Sequence, residues 1–365
     1  MSARNPGGLL SAAVLLLLLA GCAPQTHTIG FIGSLTGVRA DLAVAVRDGV
    51  QLGTDHINQA DRGYRLQLQI LDDGYSATAA AALATELAAA GRADIIIGFL
   101  TSGMLQAALH TAGQHPGIPV ISPTISGRVP DHQVLFFQLI GAARQQGQQL
   151  AEQAFADGVR SAAVVRDSGN LMYTAEVAQG FSERFAQLGG HTVLVLSQGE
   201  FDFSASRRLV KYLQESDHDA LVAALSGVDL GVLAQELRLQ HGDERPVYAG
   251  MWAFTPELLT QGGRAAEGII LSSAVDPDYP GDAYREFQAA FRERYNTEPA
   301  FGAVLGYEAV LLVDQLLHRS TRIGRDVPET IEFSGLQGRI RWEPGGEVQR
   351  DYFLFRVSEG RFARL

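Results

Sequence analysis

Apolar residues recur along this chain at two periods, and the periods alternate. Thr28–Leu35 is a compact apolar segment ending in small residues, the signature of a buried strand. Residues 41–60 follow with Ala43, Val46, Val50, Gly53 and Ile57 at helical spacing. Leu66, Leu68 and Ile70 alternate with polar residues, which predicts a strand over Arg65–Leu71. Ala77–Ala90 is rich in helix formers and stops at Gly91. Ala93–Phe99 is continuously apolar, as in a sheet covered on both faces. A helix over Ser102–Gln114 and a strand over Ile118–Ser122 complete the first set.

The pattern then repeats. Strands are predicted at Ala162–Arg166, Thr192–Leu196, Ala220–Leu225, Pro246–Gly250 and Glu267–Ser273. Helices fall at about 142–157, 173–188, 204–216 and 229–241 by periodicity. Two amphipathic helices follow, Asp282–Tyr295 and Gly302–His318. The end of the chain switches to a hairpin pattern, with Gly338–Trp342 and Tyr352–Val357 on either side of Pro344-Gly345-Gly346. Such βα alternation predicts parallel sheets with right-handed crossovers. No low-complexity linker divides the two sets, so the expected architecture is α/β, two doubly wound Rossmann-like lobes joined by several strands.

The N-terminus has a different character. Leu9–Leu19 is apolar, too short for a bilayer span of about 20 residues, and preceded by one positive charge at Arg4. It has the form of a signal-peptide core. It runs into Leu19-Ala20-Gly21-Cys22, which looks like a bacterial lipobox, and Cys22 is the only cysteine in the chain. A signal peptide over 1–21, a lipidated Cys22 and a short tether over 22–27 are expected. Acyl chains add about 0.8 kcal/mol of membrane affinity per buried methylene. Ala23 lacks the aspartate associated with inner-membrane retention, which points to the outer membrane in a Gram-negative host. Beyond the leader no run reads as long enough to span a membrane, and one cysteine leaves no intramolecular disulfide.

Composition narrows the class further. The chain has 365 residues, enough for two domains, and a formal net charge of −11. The acidic balance, with Lys211 the single lysine and arginines scattered, lacks the footprint of a nucleic-acid binder.

Several ordered landmarks carry a resemblance. They are Ile29–Gly37 with its glycine loop, Gly49 and Asn58 in the first helix, and Asp72-Asp73 ending the second strand. Ile96-Ile97-Gly98 with Thr101-Ser102, Gly117–Pro123, Phe333–Gly338 and Gly360-Arg361-Phe362 follow in order. Together they resemble the type I periplasmic binding proteins of branched-chain amino-acid (Leu/Ile/Val) ABC importers over the whole mature chain. That resemblance implies three crossovers, near 138–143, 270–276 and 330–337. It implies an N-terminal lobe of 28–140 plus 274–333 and a C-terminal lobe of 141–273 plus 334–365. It also implies a small-molecule ligand in the interlobe cleft, a membrane permease as partner, and a monomer. A ligand-sensing or envelope-interaction lipoprotein on the same fold is the alternative.

The chemistry of the site can be read beside this. Phe99–Ser102 is a strand-to-helix turn where Thr101 or Ser102 can cap. Free N–H groups at a helix start carry partial positive charge and stabilise a carboxylate. The resemblance assigns ligand contacts to Ser102, Thr124, Ser126 and Tyr173. It departs from amino-acid binders at Met251-Trp252-Ala253, where an acidic residue usually meets the ligand ammonium, and at Leu42 and Ser226, where tyrosine is common. An unpaired buried ammonium is costly. An amino acid or a related small carboxylate or amide is expected, a carboxylate or amide with an apolar or aromatic body fitting best, with Trp252 and Tyr173 as stacking faces, Ser226 as a further ligand contact, and Asp229 or Glu257 as substitute acids.

No enzyme is expected. The chain lacks a Gly-x-Ser-x-Gly elbow, a Walker A loop and a Gly-x-Gly-x-x-Gly fingerprint. His110 and His115 fall about 140° apart around a helix, a poor zinc pair. Asp72-Asp73 reads as a strand end that caps the next helix. No catalytic residue, metal site or cofactor is predicted.

Overall fold

The computed structural model describes residues 24–37, 40–89, 91–112, 118–124, 135–199, 203–319, 331–342 and 348–365. Cys22, His115, Ser126 and the Pro-Gly-Gly turn lie outside the described residues.

The first lobe is built on β1 (Gln25–Gly33), α1 (Ala40–Gln59), β2 (Tyr64–Asp72), α2 (Ala77–Ala89), β3 (Ile95–Gly98), α3 (Ser102–Ala112), β4 (Val120–Ser122) and β5 (Phe136–Gln138). Its strands form a parallel sheet in the order β2-β1-β3-β4-β5. β3 is buried throughout, as expected of a strand with helices on both faces. The chain then crosses to the second lobe: α4 (Ala143–Ala156), β6 (Ser161–Asp167), α5 (Leu171–Leu188), β7 (His191–Gln198), α6 (Phe203–Glu215), β8 (Ala220–Ala224), α7 (Gly227–Gln235), β9 (Val247–Ala249), α8 (Pro256–Gly262) and β10 (Ile270–Ser273). A π turn over Glu236–Gln240 extends α7.

After β10 the chain returns. α9 (Asp282–Tyr295) and α10 (Phe301–Arg319) pack on the first lobe, where the Tyr295 hydroxyl donates to the Asp48 carbonyl. α10 is long and apolar enough to cross a bilayer by length and composition, against the expectation that no run beyond the leader is. It is instead a core helix, buried against α1. The two helices touch backbone to backbone: a Cβ on Gly49 would overlap the Ala303 carbonyl, and one on Gly306 the Val46 carbonyl.

The C-terminal strands correct one expectation. β11 (Ile331–Gly335), β12 (Gly338–Trp342) and β13 (Val348–Gln349) form a small antiparallel sheet. The partner of β12 across the turn is thus β13, not 352–357. β13 is only two residues long, and the chain then leaves for the other sheet. There β14 (Phe353–Ser358) pairs with β10 and with β15 (Arg361–Arg364), giving the order β15-β14-β10-β9-β8-β6-β7.

One buried ion pair touches all three passages between lobes. The Arg350 and Glu308 side chains are 4% and 0% exposed, with Nη1 to Oε2 at 2.6 Å. The Arg350 guanidinium also donates to the carbonyls of Leu139 (3.2 Å) and Ala274 (3.3 Å), on the first and second passages. Glu308 Oε1 accepts from the Leu336 N–H (2.8 Å), and a Cβ on Gly335 would collide with that carboxylate.

Candidate ligand-binding cleft

The cleft begins at the turn from β3 to α3. Phe99 is 1% exposed and holds φ at 59°, a left-handed conformation that costs a phenylalanine about 1–3 kcal/mol. Its neighbours fix it there. The Phe99 N–H donates to the Ile32 carbonyl (3.3 Å), and the Ser122 hydroxyl donates to the Phe99 carbonyl (3.2 Å). The Thr124 hydroxyl donates to the Leu100 carbonyl (3.1 Å). The Thr101 carbonyl accepts from the Leu105 N–H (3.1 Å), so Thr101 is the N-cap and Ser102 opens the helix. The first N–H groups of α3 have no intrahelical partner and present partial positive charge beside Ser102.

Both lobes line the space in front of this turn, a cleft that is open to solvent. Leu42, Leu100, Ser102, Thr124, Ile140 and Phe301 face it from the first lobe and the first passage. Gln146, Asn170, Tyr173, Met251 and Trp252 face it from the second. Among the described residues, none of those that line it is charged.

Four of the residues singled out in the sequence therefore share this cleft: Ser102, Thr124, Tyr173 and Trp252. Ser126 falls outside the described residues. Ser226 is not among the lining residues: its hydroxyl donates to Asp229 Oδ2 (2.8 Å) and accepts from the Asp229 N–H (3.2 Å), closing the start of α7. A serine at a helix start offers one oxygen, and here the cap takes it. Asp229 and Glu257 do not line the cleft either. Both stand near Asp41 at the start of α1, whose carboxyl is raised above its ordinary range by burial first, then by repulsion from Glu257 and Asp229.

The aromatic wall is braced from behind. The rings of Tyr173 and Trp252 meet edge to face with centroids 6.1 Å apart. The Tyr173 hydroxyl donates to Gln146 Oε1 (2.9 Å) and accepts from the Trp252 N–H (3.3 Å). The same Gln146 oxygen accepts from the Met251 N–H (2.9 Å), and its amide donates to the Tyr352 hydroxyl (3.2 Å). Burial holds the Tyr173 phenol protonated well above its ordinary range. Gln146 is 0% exposed, although on helix α4 it reads as an ordinary polar position. Its only sequence signal is a glutamine at a spacing that also holds Gly147 and Leu150.

Asp72 and Asp73 end β2 as expected, but they do not cap α2. Asp72 Oδ1 accepts from the Leu35 and Gly74 N–H groups, and Asp73 Oδ1 from the Ser34 hydroxyl and the Tyr75 N–H. Ser76 caps instead, accepting from the Ala79 N–H (3.3 Å). Asp72 and Asp73 stand ahead of the capping Ser76 in the turn after β2, and their carboxylates are used within that turn and on the Ser34–Leu35 segment.

Comparison with known proteins places this geometry. No curated protein matches the chain. Among solved structures, the fold is similar to a leucine-binding protein, LivK, of Thermotoga maritima (22% identity, 93% of this chain and 97% of that one, TM-score 0.84). It is equally similar to the branched-chain amino acid transporter substrate-binding protein LivJ of Streptococcus pneumoniae, solved with isoleucine (21%, 93% and 99%, TM-score 0.84). A solute-binding protein of an ABC transporter from Rhodopseudomonas palustris, solved with 3,4-dihydroxybenzoic acid, aligns over 93% of this chain and 96% of that one (19%, TM-score 0.84). The family model described as periplasmic binding protein matches residues 26–361, nearly the whole sequence, and the chain belongs to that family.

Proposed function

We propose that this chain is an extracytoplasmic solute-binding lipoprotein that captures a small carboxylate with an apolar or aromatic body and delivers it to the permease of an ABC importer. The observation that carries the reading is the cleft itself. A helix start with free N–H groups faces uncharged, largely apolar walls drawn from both lobes. A carboxylate is the charge such a site stabilises. An α-ammonium finds no carboxylate among the described residues that line it. Two similar folds from R. palustris were solved with 3,4-dihydroxybenzoic acid and with benzoate, ligands of this chemical kind.

In this reading ligand first meets Ser102, Thr124 and Ser126, and closure brings Tyr173 and Trp252 over it. The lobes divide near 140–141 and 273–274. For the third limit, the family resemblance implies 333–334; the pairing of β12 and β13 with β11 and the edge-to-face contact of Trp342 on Phe137 favour a limit nearer 350. Acyl chains on Cys22 anchor the protein to the membrane, and it acts as a monomer.

The test is a melting-temperature panel of aromatic acids, short-chain carboxylates, amides and amino acids on the full chain in detergent. A ligand at 100 times its Kd adds about 2.7 kcal/mol. Stabilisation by carboxylates of one class is expected. Stabilisation by none of them would refute capture. Radiolabelled palmitate should enter the chain and be lost in Cys22→Ser; label retained in that variant would remove the anchor.

A further inference from the structure

Among the described residues that line the cleft, Asn170 carries a buried side-chain oxygen without a hydrogen-bond partner. Asn170 stands at the N-cap position of α5 and is 9% exposed. Asparagine at that position ordinarily turns its oxygen onto the N–H groups of the first turn. Asn170 does not: its side chain makes no cap hydrogen bond, and Oδ1 is buried without a partner. Ser226, at the matching place on α7 in the same lobe, caps its helix. The Asn170 side chain lines the cleft instead.

We propose that Asn170 is a specificity-determining residue whose amide oxygen selects carboxylates carrying a hydroxyl on the end away from the carboxyl group. This rests on the small-carboxylate reading of the cleft and adds a second requirement to it. The other polar groups on the second-lobe wall are taken. Gln146 Oε1 already accepts from Tyr173 and Met251, and the Tyr173 oxygen from Trp252. A buried acceptor left unpaired is unfavourable, so a ligand that donates to it is preferred over an analogue that cannot. The cleft walls carry no charge among the described residues, which suits a neutral donor such as a hydroxyl. The arrangement also separates two tasks. Ser102 and the start of α3 belong to the first lobe and take the carboxylate; Asn170 belongs to the second and takes the far end. A ligand with both ends bridges the lobes and favours the closed form over the open one.

The experiment is isothermal titration calorimetry on the full chain in detergent with benzoate, 4-hydroxybenzoate, 3,4-dihydroxybenzoate and leucine. The wild-type chain should bind a hydroxylated benzoate about 10- to 100-fold more tightly than benzoate. In Asn170→Leu that ratio should fall toward one. If Asn170→Leu weakens all three aromatic acids by the same factor, the residue is structural and the proposal fails. Should Asn170→Leu not fold, as judged by its unfolding transition, Asn170→Ala is measured in the same way. Benzoate bound as tightly as its hydroxylated forms by the wild type overturns the proposal while leaving the carboxylate reading intact. Leucine as the sole binder overturns the hydroxyl requirement in favour of an ammonium. Binding of none of the four overturns both.

Discussion

Arg350→Met tests whether one ion pair holds the two lobes in register. The substitution keeps a long apolar stem and removes the guanidinium. It leaves the Glu308 carboxylate buried, with the Leu336 N–H as the remaining partner shown for it. Breaking a buried pair by removing one partner destabilises by about 3–5 kcal/mol. The carbonyls of Leu139 and Ala274 also lose a donor, which adds to the upper end of that range. Arg350→Met with Glu308→Gln should recover at least about 2 kcal/mol, because the neutral amide carries no buried charge and can still accept from Leu336. Urea unfolding at pH 7 reads both values. The chain's two tryptophans report on different parts: Trp342 packs at the first lobe and Trp252 lines the second-lobe wall. In the wild type, fluorescence and circular dichroism should give coincident transitions. A loss below about 1 kcal/mol in Arg350→Met, or a double variant no more stable than the single one, would show that the pair does not carry this coupling.

Three further outcomes are expected. Gly306→Val drives a branched side chain into the Val46 carbonyl and should cost about 3 kcal/mol or more, measured by thermal unfolding; near-wild-type stability would mean the helices can separate freely. Ser102→Ala should weaken carboxylate binding about tenfold without moving the melting temperature of the free protein, and unchanged affinity in calorimetry would remove the serine from the site. Asp41 has a folded-state pKa raised by burial and by Glu257 and Asp229. Its contribution to stability is therefore fully present below the unfolded value and is lost as pH rises through the folded one. Asp41→Asn should accordingly raise the melting temperature at pH 7 and lose that advantage as pH falls toward the unfolded carboxylate range; a variant less stable at both ends would contradict the assignment.

The elements were legible where burial imposes a period. β3 and β8 are buried at every position, and their unbroken apolar runs announce it. β5 and β13 were not legible: they span three and two residues and are not buried at every position, whereas β4 and β9, equally three residues long, are buried throughout and announce themselves by apolar runs. The cleft illustrates the same limit at the level of single residues. Ser102 and Ser226 carry one local signature, a hydroxyl at the head of a helix after a buried strand. Only the tertiary arrangement turns the first toward the cleft and closes the second in its own cap. Gln146 and Asn170 show the converse. Nothing within a few residues of either marks it, since a helical glutamine and an asparagine before a helix are both commonplace. What distinguishes them is burial in the cleft wall, Gln146 against Met251 from a distant part of the chain and Asn170 with its side-chain oxygen unpartnered.

The placement of α10 bears on how the chain reaches its compartment. β1 through β5 are complete by Gln138, yet the helix that buries α1 arrives only at Phe301–Arg319. A nascent chain carrying the whole first sheet still lacks a large part of its apolar cover until most of the polypeptide has been made. A first lobe lacking that cover has less apolar surface buried with which to fold early, a property compatible with threading through a translocation pore. Late assembly of this kind suits a protein whose first residues read as an export signal, since collapse before transit would stall it.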